Sequence, residues 1–163
     1  MHEVNYCRDP ADVCLLGGAR EALRRLKDAG FTLVIVTNQS GIARGLLTES
    51  DFEAVQARFF ELLGPGLIEA TYMCADGPDG ASGRRKPAPG MLLEAARDLG
   101  LDLARSWMVG DKAADVQCGL AAGTRAMLVR TGHGAGEDAK GAHFVAKDIA
   151  SAADFILSHS GAS

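Results

Sequence analysis

The sequence predicts an α/β protein built on a doubly wound parallel sheet, and three observations carry that prediction. Apolar runs of strand length alternate with helix-length amphipathic segments along the chain, the pattern that lets helices cover both faces of a parallel sheet. The runs Phe31–Thr37 and Ser106–Val109 are apolar through their length instead of alternating with polar residues, as expected of strands buried on both sides. Each then breaks off abruptly, at Thr37-Asn38 and at Gly110-Asp111, which is how such a sheet presents polar groups at its carboxyl edge. With 163 residues, 47% of them hydrophobic, the chain has enough material for one domain, residues 1–163, with a sizeable core.

The elements follow in order. Leu15 to Ala29 reads as a helix, with Ala19, Ala22, Leu23 and Leu26 on one face, Arg24, Arg25 and Lys27 largely elsewhere, and Gly30 as its stop. Phe31–Thr37 is the strand after it. Thr48 has the character of an N-cap, with Glu49 and Asp51 in a first turn that favours acidic residues, and Phe52, Val55, Phe59 and Leu63 continue at helical spacing. Leu67–Cys74 reads as a strand. Pro89 to Leu99 is a helix ended by Gly100, with Met91, Leu92, Ala95 and Leu99 inward. Ser106–Val109 is a strand, Ala113–Ala122 a helix ended by Gly123, and Arg125–Val129 and His143–Ala146 the last short strands. Asp148 caps a terminal helix through Leu157. Two Gly-rich loops, Gly77–Gly83 and Thr131–Gly136, interrupt the series, and no internal repeat is present.

Composition excludes several classes of function. A net charge of −4 with no long basic run disfavours nucleic acid as a partner. No apolar run approaches the length that spans a bilayer. Met1 to Tyr6 lacks a basic stretch followed by an apolar one, so no secretory signal is recognised. Cys7, Cys14, Cys74 and Cys118 are scattered without a C-x-x-C pair, as expected of reduced thiols. The expected setting is cytoplasmic, and the expected assembly a monomer.

The chemistry lies in three segments. Val36-Thr37-Asn38-Gln39-Ser40-Gly41 ends a strand in hydroxyl and amide side chains and exposes backbone N–H groups to an anion; alone, Thr-Asn is equally a turn. Arg44 follows a Gly-Ile-Ala turn and is placed to reach a phosphate, or is solvated surface. Arg85-Lys86 opens a helix: lysine is a compact charge for a phosphoryl group, arginine a planar fork, and the helix adds its positive end. A solvated basic loop would look the same. Asp111 and Asp115 follow a buried strand at Gly-Asp-x-x-x-Asp spacing. Hard carboxylates of this kind suit Mg²⁺, and Asp115, one turn on, is placed to hold Lys112 or Lys86. Helix capping by Asp111 would account for one carboxylate but not both. In this order, each at a strand end or helix start, the three segments describe metal-assisted phosphoryl transfer, with a small phosphorylated metabolite as the expected partner.

On these residues the chain resembles the haloacid dehalogenase (HAD) superfamily of phosphatases, most closely the subgroup of D-glycero-D-manno-heptose 1,7-bisphosphate 7-phosphatases and histidinol phosphatases. The resemblance rests on Val36-Thr37-Asn38-Gln39-Ser40-Gly41-Ile42-Ala43-Arg44-Gly45, on Arg85-Lys86-Pro87-x-Pro89-Gly90-Met91-Leu92 and on Met108-Val109-Gly110-Asp111-Lys112. It implies that Thr37 binds the transferring phosphoryl group with the Asn38 amide, that Gln39, Ser40 and Arg44 line the substrate loop, and that Lys86 neutralises charge. It further implies that Arg85 recognises substrate, that Asp111 ligates Mg²⁺ with Asp115 as a second candidate, and that Lys112 touches substrate. Glu3, Val4, Asn5 and Tyr6 align with a substrate-facing loop.

The chain departs from that family in two places. The family's nucleophile and its acid/base partner lie in an Asp-x-Asp-Gly-Thr motif at the end of a first, central strand, and no such motif is present. Asp9 and Asp12 lie too far along to replace it. The expectation is an N-terminally truncated phosphatase domain, inactive as it stands, with unpaired backbone groups on the strands ending at Thr37 and at Asp111; each one left buried costs about 1–3 kcal/mol. A phosphate-binding pseudoenzyme is the alternative from another class, histidinol-phosphate phosphatase the alternative among enzymes, and a receiver-type signalling domain a weak fourth. The second departure concerns a structural Zn²⁺ that the subgroup often holds with Cys-x-His and Cys-x-Cys pairs. Here those pairs read Cys74-Ala75-Asp76 and Ser82-Gly83-Arg84. One thiolate of four ligands cannot make a tetrahedral site, so no zinc is expected.

Overall fold

The structure, a computed structural model, describes residues 6–160. Five strands and six α-helices follow one another as α1 (Ala19–Asp28), β1 (Val34–Asn38), α2 (Ser40–Ala43), α3 (Glu49–Leu63), β2 (Ala70–Cys74), α4 (Gly90–Leu99), β3 (Trp107–Gly110), α5 (Ala113–Ala122), β4 (Arg125–Val129), β5 (Phe144–Ala146) and α6 (Ile149–His159). Every strand pairing is parallel. The strands nevertheless form two sheets among the described residues. β1 pairs with β2, from Val34 opposite Ala70 to Asn38 opposite Cys74. β3, β4 and β5 form the other sheet, with β4 in the middle. Helix α4 packs against β1 and β2 on one side and against α5 on the other, and so holds the two sheets together.

The core sits on the three-stranded sheet. Met127 and Leu128 of β4 are completely buried. Ala22 and Leu26 of α1 meet Met127, Val129 and Ala146 together with Ala152, Ala153 and Ile156 of α6. The predicted inward face of α1 is therefore the face that packs. Burying one such aliphatic side chain is worth about 1.5–3 kcal/mol relative to leaving it exposed.

Several element boundaries differ from the expectation, for local reasons. Helix α1 starts at Ala19 and not Leu15, because Gly18 is its N-cap in the left-handed region (φ 77°). Strand β1 starts at Val34, where pairing with β2 begins; Phe31 and Leu33 pack on the core under α1 and α6 instead. Strand β2 likewise starts at Ala70 and not Leu67, although Leu67 is buried. The expected Gly-rich turn after Gln39 winds into the short helix α2. The expected caps form: Thr48 Oγ1 accepts from Asp51 N (3.0 Å) while Asp51 Oδ2 accepts from Thr48 N (2.9 Å), a reciprocal capping box.

Candidate active site

The site lies at the carboxyl ends of β1 and β3. Asn38 closes β1 and turns its side chain to the loop before α4. Its Oδ1 accepts from Lys86 N (3.0 Å) and its Nδ2 donates to Lys86 O (3.1 Å). From there the Lys86 side chain runs inward. Its ammonium donates to Val36 O of β1 (3.0 Å) and pairs with Asp115 Oδ1 (2.7 Å). The side chains of Lys86 and Asp115 are 13% and 6% exposed, so this is a buried pair, held across the divide between the two sheets. Asp115 uses its other oxygen to accept from Lys112 N (3.0 Å) at the start of α5. Gly110 makes this possible: a Cβ there would collide with the Asp115 carboxylate.

Two further polar groups stand at the ends of the same strands, Thr37 on β1 and Asp111 just after β3. Thr37 Oγ1 accepts from Gln39 Nε2 (3.0 Å). A hydroxyl has one proton and two lone pairs, so that bond leaves the Thr37 proton to be donated elsewhere. Thr37 and Gln39 also line a cavity of ≈ 420 Å³ that runs beneath Phe52, Val55 and Phe59 of α3. Asp111 does not cap α5. Its Oδ2 accepts from His133 N (3.0 Å) in the loop after β4. Gly132 (φ +61°) permits that approach, since a side chain there would strike the Asp111 carboxylate. The same loop sends Glu137 Oε2 to Ala113 N (2.8 Å), one of the free N–H groups of α5. Arg130 fastens the loop from below by donating to Gly134 O (2.7 Å) and Glu137 O (2.9 Å).

Arg85 enters from the loop after β2, where its Nη1 donates to Asp76 O (2.9 Å). The loop is closed by Ser82 Oγ donating to Asp76 Oδ2 and by a two-pronged Arg84–Glu94 ion pair (2.7 and 3.1 Å). The Ser82 hydroxyl, chiefly, holds the Asp76 carboxyl below the usual carboxylate value, and the hydrogen bonds that Arg84 donates to Glu94 raise its guanidinium further. Beneath the site, Cys118 Sγ donates to Ala88 O (3.3 Å), and burial pushes its thiol up to about 11, against the opposing pull of Lys86.

A family model described as HAD-hydrolase-like matches residues 83–152, the stretch from the Arg85-Lys86 segment through β5. The chain is 44% identical over 138 residues to the D-glycero-β-D-manno-heptose-1,7-bisphosphate 7-phosphatase of Yersinia pestis, covering 78% of this chain and 73% of that one. It is 36% identical over 158 residues to the enzyme of that name from Bordetella bronchiseptica, covering 93% and 88%. The chain belongs to the HAD superfamily of phosphatases, in the heptose bisphosphate phosphatase subgroup. Its fold agrees with that assignment. The crystal structure of the B. bronchiseptica D,D-heptose 1,7-bisphosphate phosphatase, complexed with magnesium and phosphate, superposes with a TM-score of 0.85 at 35% identity, over 94% of this chain and 89% of that one. The corresponding phosphatase from Burkholderia thailandensis superposes with a TM-score of 0.68 at 30% identity, over 91% and 90%.

Within this phosphatase fold, hydrogen bonds and one ion pair join Asn38, Lys86, Asp115 and Lys112 N, while Thr37 bonds Gln39, Arg85 bonds Asp76 O and Asp111 bonds His133 N. Tyr6 OH lies 3.1 Å from Ser40 Oγ, at the start of α2. Glu3, Val4 and Asn5 lie outside the described residues. Arg44 and the Lys112 side chain are exposed, and no bond among the described residues ties either to the cluster. Sequence reasoning missed Glu137, the His133 amide and the side-chain roles of Asn38 and Gln39. The Gly-rich character of Thr131–Gly136 after a strand was the available signal for the first two. The positions where the subgroup often holds zinc are filled by the Cys74 thiol, the Asp76–Ser82 hydrogen bond and the Arg84 cation. A guanidinium among four positions does not make a zinc ligand set.

Proposed function

We propose that this chain is the body of a Mg²⁺-dependent phosphatase that removes the 7-phosphate of D-glycero-D-manno-heptose 1,7-bisphosphate. The observation that carries the reading is the Lys86 ammonium, buried against Asp115 of α5 and bonded to Val36 O, one residue before Thr37 on β1. Phosphoryl transfer asks the protein chiefly for positioning and charge neutralisation at the phosphoryl oxygens. Lys86 supplies the charge, Thr37 a hydroxyl proton, and Arg85 a second cation for the sugar phosphate. The names of the relatives supply the substrate.

Asp111 has the chemistry of a Mg²⁺ ligand. Mg²⁺ takes one or two carboxylates and completes its shell with water and phosphate oxygens, so a single carboxylate at this edge fits. Bound there, Mg²⁺ would add positive charge against the phosphoryl oxygens. A structural zinc has no part in this reading. The attacking aspartate and its acid/base partner belong, in the same reading, to a strand lying between β1 and β3 and ending in Asp-x-Asp-Gly-Thr. The aspartate would attack phosphorus and form an aspartyl-phosphate, the sugar oxygen would leave with a proton from the second carboxyl, and water would then hydrolyse the intermediate. The reading places the protein in the cytoplasm as a monomer.

The experiment compares the 163-residue chain with a version extended by an apolar strand ending in that motif. Both are assayed with Mg²⁺ on heptose bisphosphate and on a generic phosphomonoester. Turnover is expected from the extended version alone, with heptose bisphosphate preferred. Equal turnover by the two versions would overturn the placement of the nucleophile. Indifference between the two substrates would overturn the choice of substrate.

A further inference from the structure

Asn38 offers more than its backbone amide. We propose that it is a positioning residue: its carboxamide fixes the backbone of Lys86, and through it the ammonium that meets the phosphoryl group. The proposal rests on the reading of Lys86 as the phosphoryl-binding cation.

An asparagine at the end of a strand usually bonds its own backbone two residues on and shapes a turn. Asn38 does not. Both heavy atoms of its amide are committed to Lys86, 48 positions away in sequence, one as acceptor and one as donor. This reproduces, with a side chain, one rung of a strand ladder. It also satisfies both main-chain polar groups of Lys86, for which no other partner appears among the described residues. Beyond that rung the lysine stem leads to an ammonium pinned by Val36 O and Asp115 Oδ1. Lys86 is thus held at both ends, at its backbone by Asn38 and at its tip by β1 and α5.

The loop that carries Lys86 needs such an anchor. Residues 75–85 hold no helix or strand and include Gly77, Gly80 and Gly83. Asn38 ties the last part of that loop to the end of β1, one residue from Thr37. The spacing between hydroxyl and ammonium is then set by neighbouring residues of one strand and not by the wandering of a Gly-rich loop. Ordering the lysine before the anion arrives spares part of the entropy that binding would otherwise lose.

The test is a double-mutant cycle read by calorimetric titration of inorganic phosphate in the presence of Mg²⁺. Asn38→Ala should weaken phosphate binding about tenfold, the scale of one or two hydrogen bonds. Lys86→Ala should weaken it further. The double variant should bind as Lys86→Ala does, because Asn38 acts through the lysine. Loss by Asn38→Ala of the same factor in the Lys86→Ala background would overturn the proposal. So would phosphate affinity unchanged by Asn38→Ala. Unchanged affinity in Lys86→Ala would instead overturn the reading of the site itself. Hydrogen exchange of the unaltered chain gives a check that needs no variant. The Lys86 amide should be protected, and exchange at the rate of an open loop amide would show that the clamp does not hold.

Discussion

The two sheets of this molecule are packed to different standards. In the three-stranded sheet, β4 is buried from Ala126 to Val129, and α1 and α6 close over it. In the two-stranded sheet every residue of β1 is half-buried, and of β2 only Cys74 is buried. The face of α3 that the sequence marks as apolar follows suit: Leu63 is buried, while Phe52, Val55 and Phe59 stay half-buried over a cavity. A strand gains from a sheet when it is paired on both edges and covered on both faces. Among the described residues β4 has both, and β1 has one paired edge. The functional groups sit on the boundary between the two standards, where a cation from one side meets a carboxylate from the other.

The largest test of that contrast is the boundary pair itself. Asp115→Asn leaves the Lys86 ammonium enclosed without its carboxylate, and breaking a buried pair in this way costs about 3–5 kcal/mol. A urea midpoint that barely moves would mean that the two sheets hold together without it. The next effect separates the sheets directly. Leu128→Ala removes a fully buried side chain and should cost about 2–5 kcal/mol. Ile35→Ala, on half-buried β1, should cost less than half as much, and equal costs would erase the contrast.

The smallest effect compares two helix caps in acid. The Ser151 amide and hydroxyl hold the Asp148 carboxyl below its ordinary value at the head of α6, and the Thr48 backbone and hydroxyl do the same for Asp51 at the head of α3. A carboxyl depressed in the folded state contributes stability above its unfolded value, near pH 4, and loses that contribution as pH falls through the folded value. Asp148→Asn should therefore lower stability at neutral pH and flatten the loss below about pH 4. Asp51→Asn should do the same more weakly, because α3 covers the looser sheet. An acid transition that responds more to Asp51→Asn would reverse the ranking.

Much of this was legible in the sequence, because it is written in short-range pattern. The Ala22–Leu26 face, the Thr48 cap and the strand exits at Thr37 and Gly110 each depend on neighbours within a few residues. Asp115 was readable as a holder of Lys86 or Lys112, and it holds the Lys86 ammonium and the Lys112 backbone amide. What escaped was long-range and carried by polar side chains with several possible partners. Nothing near Asn38 says that its amide spans 48 positions to Lys86. Nothing near Glu137 says that it meets the first turn of a helix 24 positions earlier. The start of β1 escaped for another reason: Phe31 and Leu33 have strand character, but pairing begins only at Val34, opposite Ala70.

The loop that delivers Arg85 is buttoned by a hydroxyl on a carboxylate and by one ion pair. Its control lies with protons. The Asp76 carboxyl must stay ionised to receive Ser82, and because its affinity for a proton is lowered in place, the button stays done up through mild acidification and opens only in strong acid.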